Sequence, residues 1–77
     1  MASSRFEGFT KLEGSGHLDG VKYDSHQRQM TVRFSNGYQY VVHGFSADSY
    51  QKFLNAPSHG EHWHANIKDS YHVERVK

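Results

Sequence analysis

Eleven consecutive residues, Ser58 to Lys68 (SHGEHWHANIK), hold three histidines, a carboxylate and the only tryptophan of the chain. Imidazole and carboxylate are donor types that bind zinc or nickel, which makes His59, His62 and His64 the metal candidates, with Glu61 or His72 as a further ligand. Their spacing, H-x2-H-x-H, opposes a site. On a helix His59 and His62 share a face, whereas His64 points elsewhere and Glu61 is engaged in a helix cap. Neither a cysteine nor the i, i+4 histidine pair of H-E-x-x-H strengthens the pattern. The expectation is surface imidazoles around a packed Trp63, with no metal and no cofactor.

Catalysis is supported no better. A metal-free nuclease needs a base and a cation converging on a phosphate, and His62 or His64 with Lys68 supply those types, as would almost any histidine-rich chain of this size. Cysteine nucleophiles are absent, and the serines fall at turns and caps, where they bond to backbone. The expected protein is therefore not an enzyme.

Nucleic-acid contact matches the residue types better. The segment HWHANIKDSYHVERVK interleaves Trp63, His64 and Tyr71 with Lys68, Arg75 and Lys77. Aromatic rings can stack on unpaired bases while cations meet phosphate. With Arg33 and Tyr38 from the preceding strands, the candidate contacts are Arg33, Tyr38, Trp63, His64, Lys68, Arg75 and Lys77. A competing demand acts on the rings, because large side chains in a small domain go first to the core. Tyr40, Trp63 and Ile67 are expected to serve it, which leaves the four cations as exposed contacts. Lys68 and Asn66 can also bond locally at the end of the second helix.

The chain is 77 residues long, one domain with a modest core and no room for a deep cavity. Nine Lys and Arg against eight Asp and Glu leave a net charge of +1. A generic polyanion binder would carry more, so any nucleic-acid surface must come from local segregation of charge. No apolar run approaches the roughly 20 residues needed to span a bilayer, and the opening residues lack the apolar core of a signal peptide. A cytoplasmic protein without membrane partners is expected. Residues 1–16, rich in Gly and Ser, read as an arm that is loosely attached, although Phe6, Phe9 and Leu12 stand three apart and would permit a helical turn. Residues 17–77 read as the globular domain.

The elements that must carry these side chains are legible. MTVRFSNGYQYVV alternates as two strands around a turn. A three-residue loop, Ser35 to Gly37, sets Phe34 opposite Tyr38, Val32 opposite Tyr40 and Met30 opposite Val42; a two-residue turn would scatter them. The spacing thus predicts a type I turn with Gly37 left-handed in a bulge, leaving Thr31, Arg33, Gln39, Val41 and His43 on the other face. An earlier strand, GVKYD, pairs back through the polar turn DSHQRQ. Ser46 caps a helix that places Ala47, Tyr50, Phe53 and Leu54 on one stripe and stops at Asn55-Ala56-Pro57. Ser58 and Glu61 form a capping box that opens a second short helix with Trp63 and Ile67 on its buried side. Tyr71 to Val76 alternate as a closing strand. The sum is a small single-domain α+β fold: an antiparallel meander of three to four strands, one helix and a short second helical turn.

The stretch from Tyr23 to Tyr71 resembles the KTSC domain, a module named after the C-terminal segment of some lysyl-tRNA synthetases and also found as stand-alone small proteins. The resemblance rests on Tyr23-Asp24, the Asn36-Gly37 turn, Tyr38-x-Tyr40, the helix with Tyr50, Phe53 and Leu54, and SHGEHWHANIKDSY with Asn66, Ile67 and Lys68. The chain departs from the family at His62 and His64, where an aromatic and a polar residue are expected. The resemblance implies RNA binding, suggested partly by attachment to a tRNA synthetase, and it implies no aminoacylation. The function expected is a small non-catalytic module that binds RNA or single-stranded nucleic acid. The alternative is a protein-interaction module that docks a partner, or a second copy of itself, through the N-terminal arm or a sheet edge.

Overall fold

Five short strands follow one another both in sequence and in space in the computed structural model, which describes residues 9–12 and 17–77. They are β1 (Thr10–Lys11), β2 (Leu18–Asp24), β3 (Gln29–Phe34), β4 (Gln39–His43) and β5 (His72–Arg75), each antiparallel to the next. Between β4 and β5 the chain forms α1 (Ala47–Leu54), α2 (His59–His62) and, without a break, a π-helical turn over Trp63–Ile67. The fold is α+β, an open antiparallel meander with helices on one face.

The central hairpin has the predicted register. Met30 pairs with Val42 and Val32 with Tyr40, while the Phe34 N–H donates to the Tyr38 carbonyl at 2.8 Å. Gly37 adopts φ +95°, a conformation that costs an L side chain energy and costs glycine little. The β2–β3 turn is held by the Asp24 carboxylate, which accepts from the N–H groups of His26 and Gln27. A register shift between Leu18 and Gly20 puts Leu18, Val21 and Tyr23 on the face of Phe34, Val32 and Met30. That bulge rescues a pattern whose simple alternation would have turned Leu18 away.

The helices close the core over this face. Ser46 caps α1, its Oγ accepting from the Ser49 N–H, and Ser58 caps α2 by accepting from the Glu61 N–H. Phe53 is fully buried, with Tyr50 and Leu54 half-buried beside it. Ala47, expected on the same stripe, is exposed: the apolar contact of α1 begins with Tyr50, and Ala47, the first residue of the helix, lies before it. Trp63 and Ile67 are buried together as expected, but on the π turn. Phe45, in the link to α1, is buried to the same degree as Phe53; each ring is worth about 1.5–3 kcal/mol in area removed from water. Tyr23 ties β2 to this link: its hydroxyl donates to the Phe45 carbonyl at 2.6 Å, and its ring stacks on Tyr50 with centroids 4.9 Å apart.

The structure differs from the sequence expectation at the N-terminal side. Thr10 and Lys11 pair with Val21 and Gly20 as a fifth strand, and Leu12 is buried in the core, so residues 9–12 form an edge of the sheet and not a helical turn. Two paired residues are too few for an alternating pattern to be visible in sequence. Gly20 leaves room for this edge, since a Cβ there would lie 3.3 Å from the Thr10 carbonyl and 3.5 Å from the Phe9 ring. The remainder of the expected arm, residues 1–8 and 13–16, lies outside the described residues, Phe6 included.

Arg33 requires a second correction. Expected as an exposed cation, it is buried on the outer face of the sheet, where its guanidinium pairs with the Asp19 carboxylate and lies 5.5 Å from the Phe9 ring centroid. The cause is the same edge strand: β1 brings Phe9 over Gly20, and the ring excludes water from Arg33.

Candidate nucleic-acid interface

The helix-covered face of the sheet is not covered to its end. At the hairpin end, next to the last residues of β5, Phe34 and Tyr40 are half-buried against Trp63 and Tyr38 lies beyond them, exposed. Tyr38 is 44% exposed, and the Arg75 guanidinium lies 4.5 Å above its ring centroid. Register explains the pairing: Arg75 stands opposite Tyr40, and Tyr38 is the next residue on that face. The C-terminal residues are drawn to the same end, with the Val76 N–H donating to the Gln39 carbonyl at 2.9 Å and the Gln39 N–H to the Lys77 carbonyl at 3.2 Å.

The rings form a continuous group. Phe34 meets Tyr40 edge-on at 5.3 Å and Trp63 edge-on at 5.6 Å, and Tyr40 lies 6.4 Å from Trp63. Two depressions open on either side of the indole. One is lined by Phe34, Tyr40, Trp63, His64, Lys68 and Asp69; the other, largely apolar, involves Leu18, Phe34, Trp63 and His64 with Glu61. His64 and Lys68 are exposed at their rims. The π turn sets this arrangement. Lys68, whose N–H donates to the Trp63 carbonyl, is carried around to the side of the indole.

The structure therefore brings together Tyr38, Trp63, His64, Lys68, Arg75 and Lys77 at one end of the molecule and sends Arg33 to the opposite face. Trp63 contributes an edge only, since 4% of it is exposed. Asp69 places one carboxylate among the cations. Phe34 and Tyr40, half-buried, supply more ring surface than sequence reasoning assigned to them.

The metal candidates do not converge. His59 and His62 both pack against the Phe53 ring, at 5.4 and 5.7 Å, and His59 Nε2 bonds the Leu54 carbonyl. His62 contacts Asn66 and opens beside Lys52 and Pro57, away from His64 and Lys68, so the pairing of His62 with Lys68 imagined for a nuclease is not formed. Burial, with His59 beside it, holds the His62 imidazole below its ordinary range. Among the described residues, the histidine and carboxylate groups that do converge are His43, His72 and Glu74 on the outer face. Their meeting depends on the pairing of His43 with His72 across β4 and β5, a register that no local motif encodes. Also among the described residues, no helix is long and apolar enough to cross a membrane.

Comparison with known proteins agrees with this architecture. The family model of the KTSC domain matches residues 14–71. No curated protein matches the chain. The structure is similar to the crystal structure of a KTSC domain protein from Yersinia pestis, with a TM-score of 0.81 and 21% identity over 90% of this chain and 96% of that one. At that identity the likeness speaks for the fold alone, and the family match, which spans most of the sequence, carries the assignment: the chain belongs to the KTSC domain family.

Proposed function

We propose that this protein is a non-catalytic cytoplasmic module that binds RNA or single-stranded nucleic acid at the hairpin end of its sheet. The observation that carries the reading is the Arg75 guanidinium stacked 4.5 Å over the exposed Tyr38 ring, beside the Phe34, Tyr40 and Trp63 rings with Lys68 at their rim. Such a surface offers unpaired bases a π-face and phosphates a cation at adjacent positions, and its stacking is tolerant of sequence. Duplex is the poorer fit, because the group is short and made of rings rather than a long basic track.

The test uses Trp63 as its own reporter. A mixed-sequence single-stranded RNA is titrated while tryptophan fluorescence and the anisotropy of labelled RNA are followed at low and near-physiological salt. Saturable binding is expected, and contacts from Lys68, Arg75 and Lys77 would give a slope of log K against log salt of about −2. Arg75→Ala should weaken binding roughly tenfold and make the slope shallower by about 0.7. Flat signals at both salts would overturn the reading.

A second reading has one observation in its favour: β5 is an outer strand, so a partner protein or a second copy could add a strand along it. His72, Glu74 and Arg75 on that strand make the edge charged and oppose this mode. Binding insensitive to salt would favour it over nucleic acid.

A further inference from the structure

His43, His72 and Glu74 lie on the outer face of the sheet, away from the proposed interface, and they bring their ligand atoms within 4.8 Å of one another. His43 and His72 are directly paired residues of β4 and β5, with ring centroids 5.1 Å apart. Glu74, two residues along β5, returns to the same face and sets Oε1 3.1 Å from His43 Nε2. The fourth member is Gln29 on β3, opposite His43, whose side-chain amide meets His43 Nδ1 at 3.2 Å.

We infer that His43, His72 and Glu74 form a binding site for zinc or a similar late first-row divalent ion, with Gln29 orienting His43. Two imidazoles and one carboxylate from three positions of a paired ladder are a donor set suited to such ions and poorly suited to magnesium or calcium. The distances fit. With metal–ligand bonds of about 2.1 Å, two ligand atoms of a tetrahedral site stand about 3.4 Å apart, so the 3.1 Å pair is in place. The widest separation must close by roughly 1.4 Å, which χ rotations of His72 and Glu74, both exposed, supply over a fixed backbone.

Gln29 fixes the orientation of the His43 ring from its other nitrogen. The Gln29 amide nitrogen donates to His43 Nδ1, so His43 Nε2–H faces the Glu74 carboxylate; a bound metal ion takes the place of that proton at Nε2, with the Gln29 amide turned so that its oxygen accepts from Nδ1–H. Three protein ligands leave at least one coordination position for water or an outside ligand.

The test is a titration of the full chain with Zn2+ alone, followed by competition with a zinc-binding dye and by the imidazole resonances of His43 and His72. One equivalent is expected to bind and to shift both rings. His72→Gln and Glu74→Gln should each weaken binding at least tenfold, Gln29→Leu by about tenfold, and Mg2+ should not compete. A chain carrying Gln at His59, His62 and His64 should bind as tightly as the parent. Circular dichroism and the Trp63 indole resonance check that each variant is folded, which exposure of His72 and Glu74 favours. Unshifted His43 and His72 resonances, or parental affinity in His72→Gln and Glu74→Gln, would overturn the assignment.

Discussion

The backbone N–H of Lys68 donates to the carbonyl of Trp63, five residues back, at 2.8 Å. In an α-helix two residues five apart stand about 140° around the axis from each other. In a turn closed by i→i+5 bonds they stand about 50° apart, so the cation reaches the side of the indole.

A π turn of this kind is equivalent to one residue inserted into an α-helix, and that equivalence is testable. Ala65 is exposed and lies inside the turn. Deleting it leaves Ile67 three and Lys68 four positions after Trp63, which α geometry again places near the indole. The shortened chain is expected to fold, with its melting midpoint within about 5 °C of the parent, a change of about 1 kcal/mol or less. Deleting one residue between Tyr50 and Phe53, in the regular helix α1, should instead unfold it. Equal damage from both deletions would show the π turn to be indispensable.

Arg33 and Asp19 form an ion pair in which the arginine is buried and the aspartate side chain is 32% exposed. Removing the carboxylate leaves a guanidinium with poorer compensation, while partial solvent access softens the loss. Asp19→Asn should cost about 1–2 kcal/mol, measured by urea unfolding. Combining it with Arg33→Met should recover part of that loss, because an apolar chain needs no partner. RNA affinity should be unchanged by the double substitution, since Arg33 faces away from the hairpin end.

The His62 imidazole is held below its ordinary value of 6.5, chiefly by burial and next by His59. The unfolded chain therefore takes up a proton near pH 6.5 that the folded chain still refuses. Stability falls as pH drops from 6.5 toward the lowered folded value, and this contribution is level beneath it. In His62→Gln the slope of unfolding free energy against pH should flatten in that window. An unchanged slope would assign the dependence to other groups.

Gly37 has φ +95° and nothing within 4 Å of where a Cβ would stand. Gly37→Ala therefore tests the backbone alone. A loss of about 1 kcal/mol, or about 4–8 °C in melting midpoint, is expected, with the β3–β4 register retained in amide-exchange patterns. No loss would mean that the turn relaxes to negative φ.

Much of the fold was readable in advance, for a physical reason. The β3–β4 register follows from which loop length collects Met30, Val32, Phe34, Tyr40 and Val42 on one face, and the helix starts follow from Ser46 and Ser58, whose hydroxyls bond three residues on. These are local interactions, and their partners lie within a dozen residues in the sequence. The aromatic and basic residue types of the hairpin end were readable in the same way, as a composition.

The tertiary structure alone decided which of those residues meet. Arg33 alternates with Val32 in β3 as an outward cation should, but a two-residue edge strand and the Phe9 ring bury it against Asp19. Arg75 reaches Tyr38, and His43 reaches His72 and Glu74, because β5 pairs with β4 across the intervening helices. The helical period of SHGEHWHANIK was visible, whereas its switch to i→i+5 bonding was not, since a turn widens in response to what its side chains must fill. Local pattern determined the elements and their faces; packing across the sheet determined the sites, because the contacts that assemble them, Arg75 with Tyr38 and His43 with His72, join residues far apart in the chain.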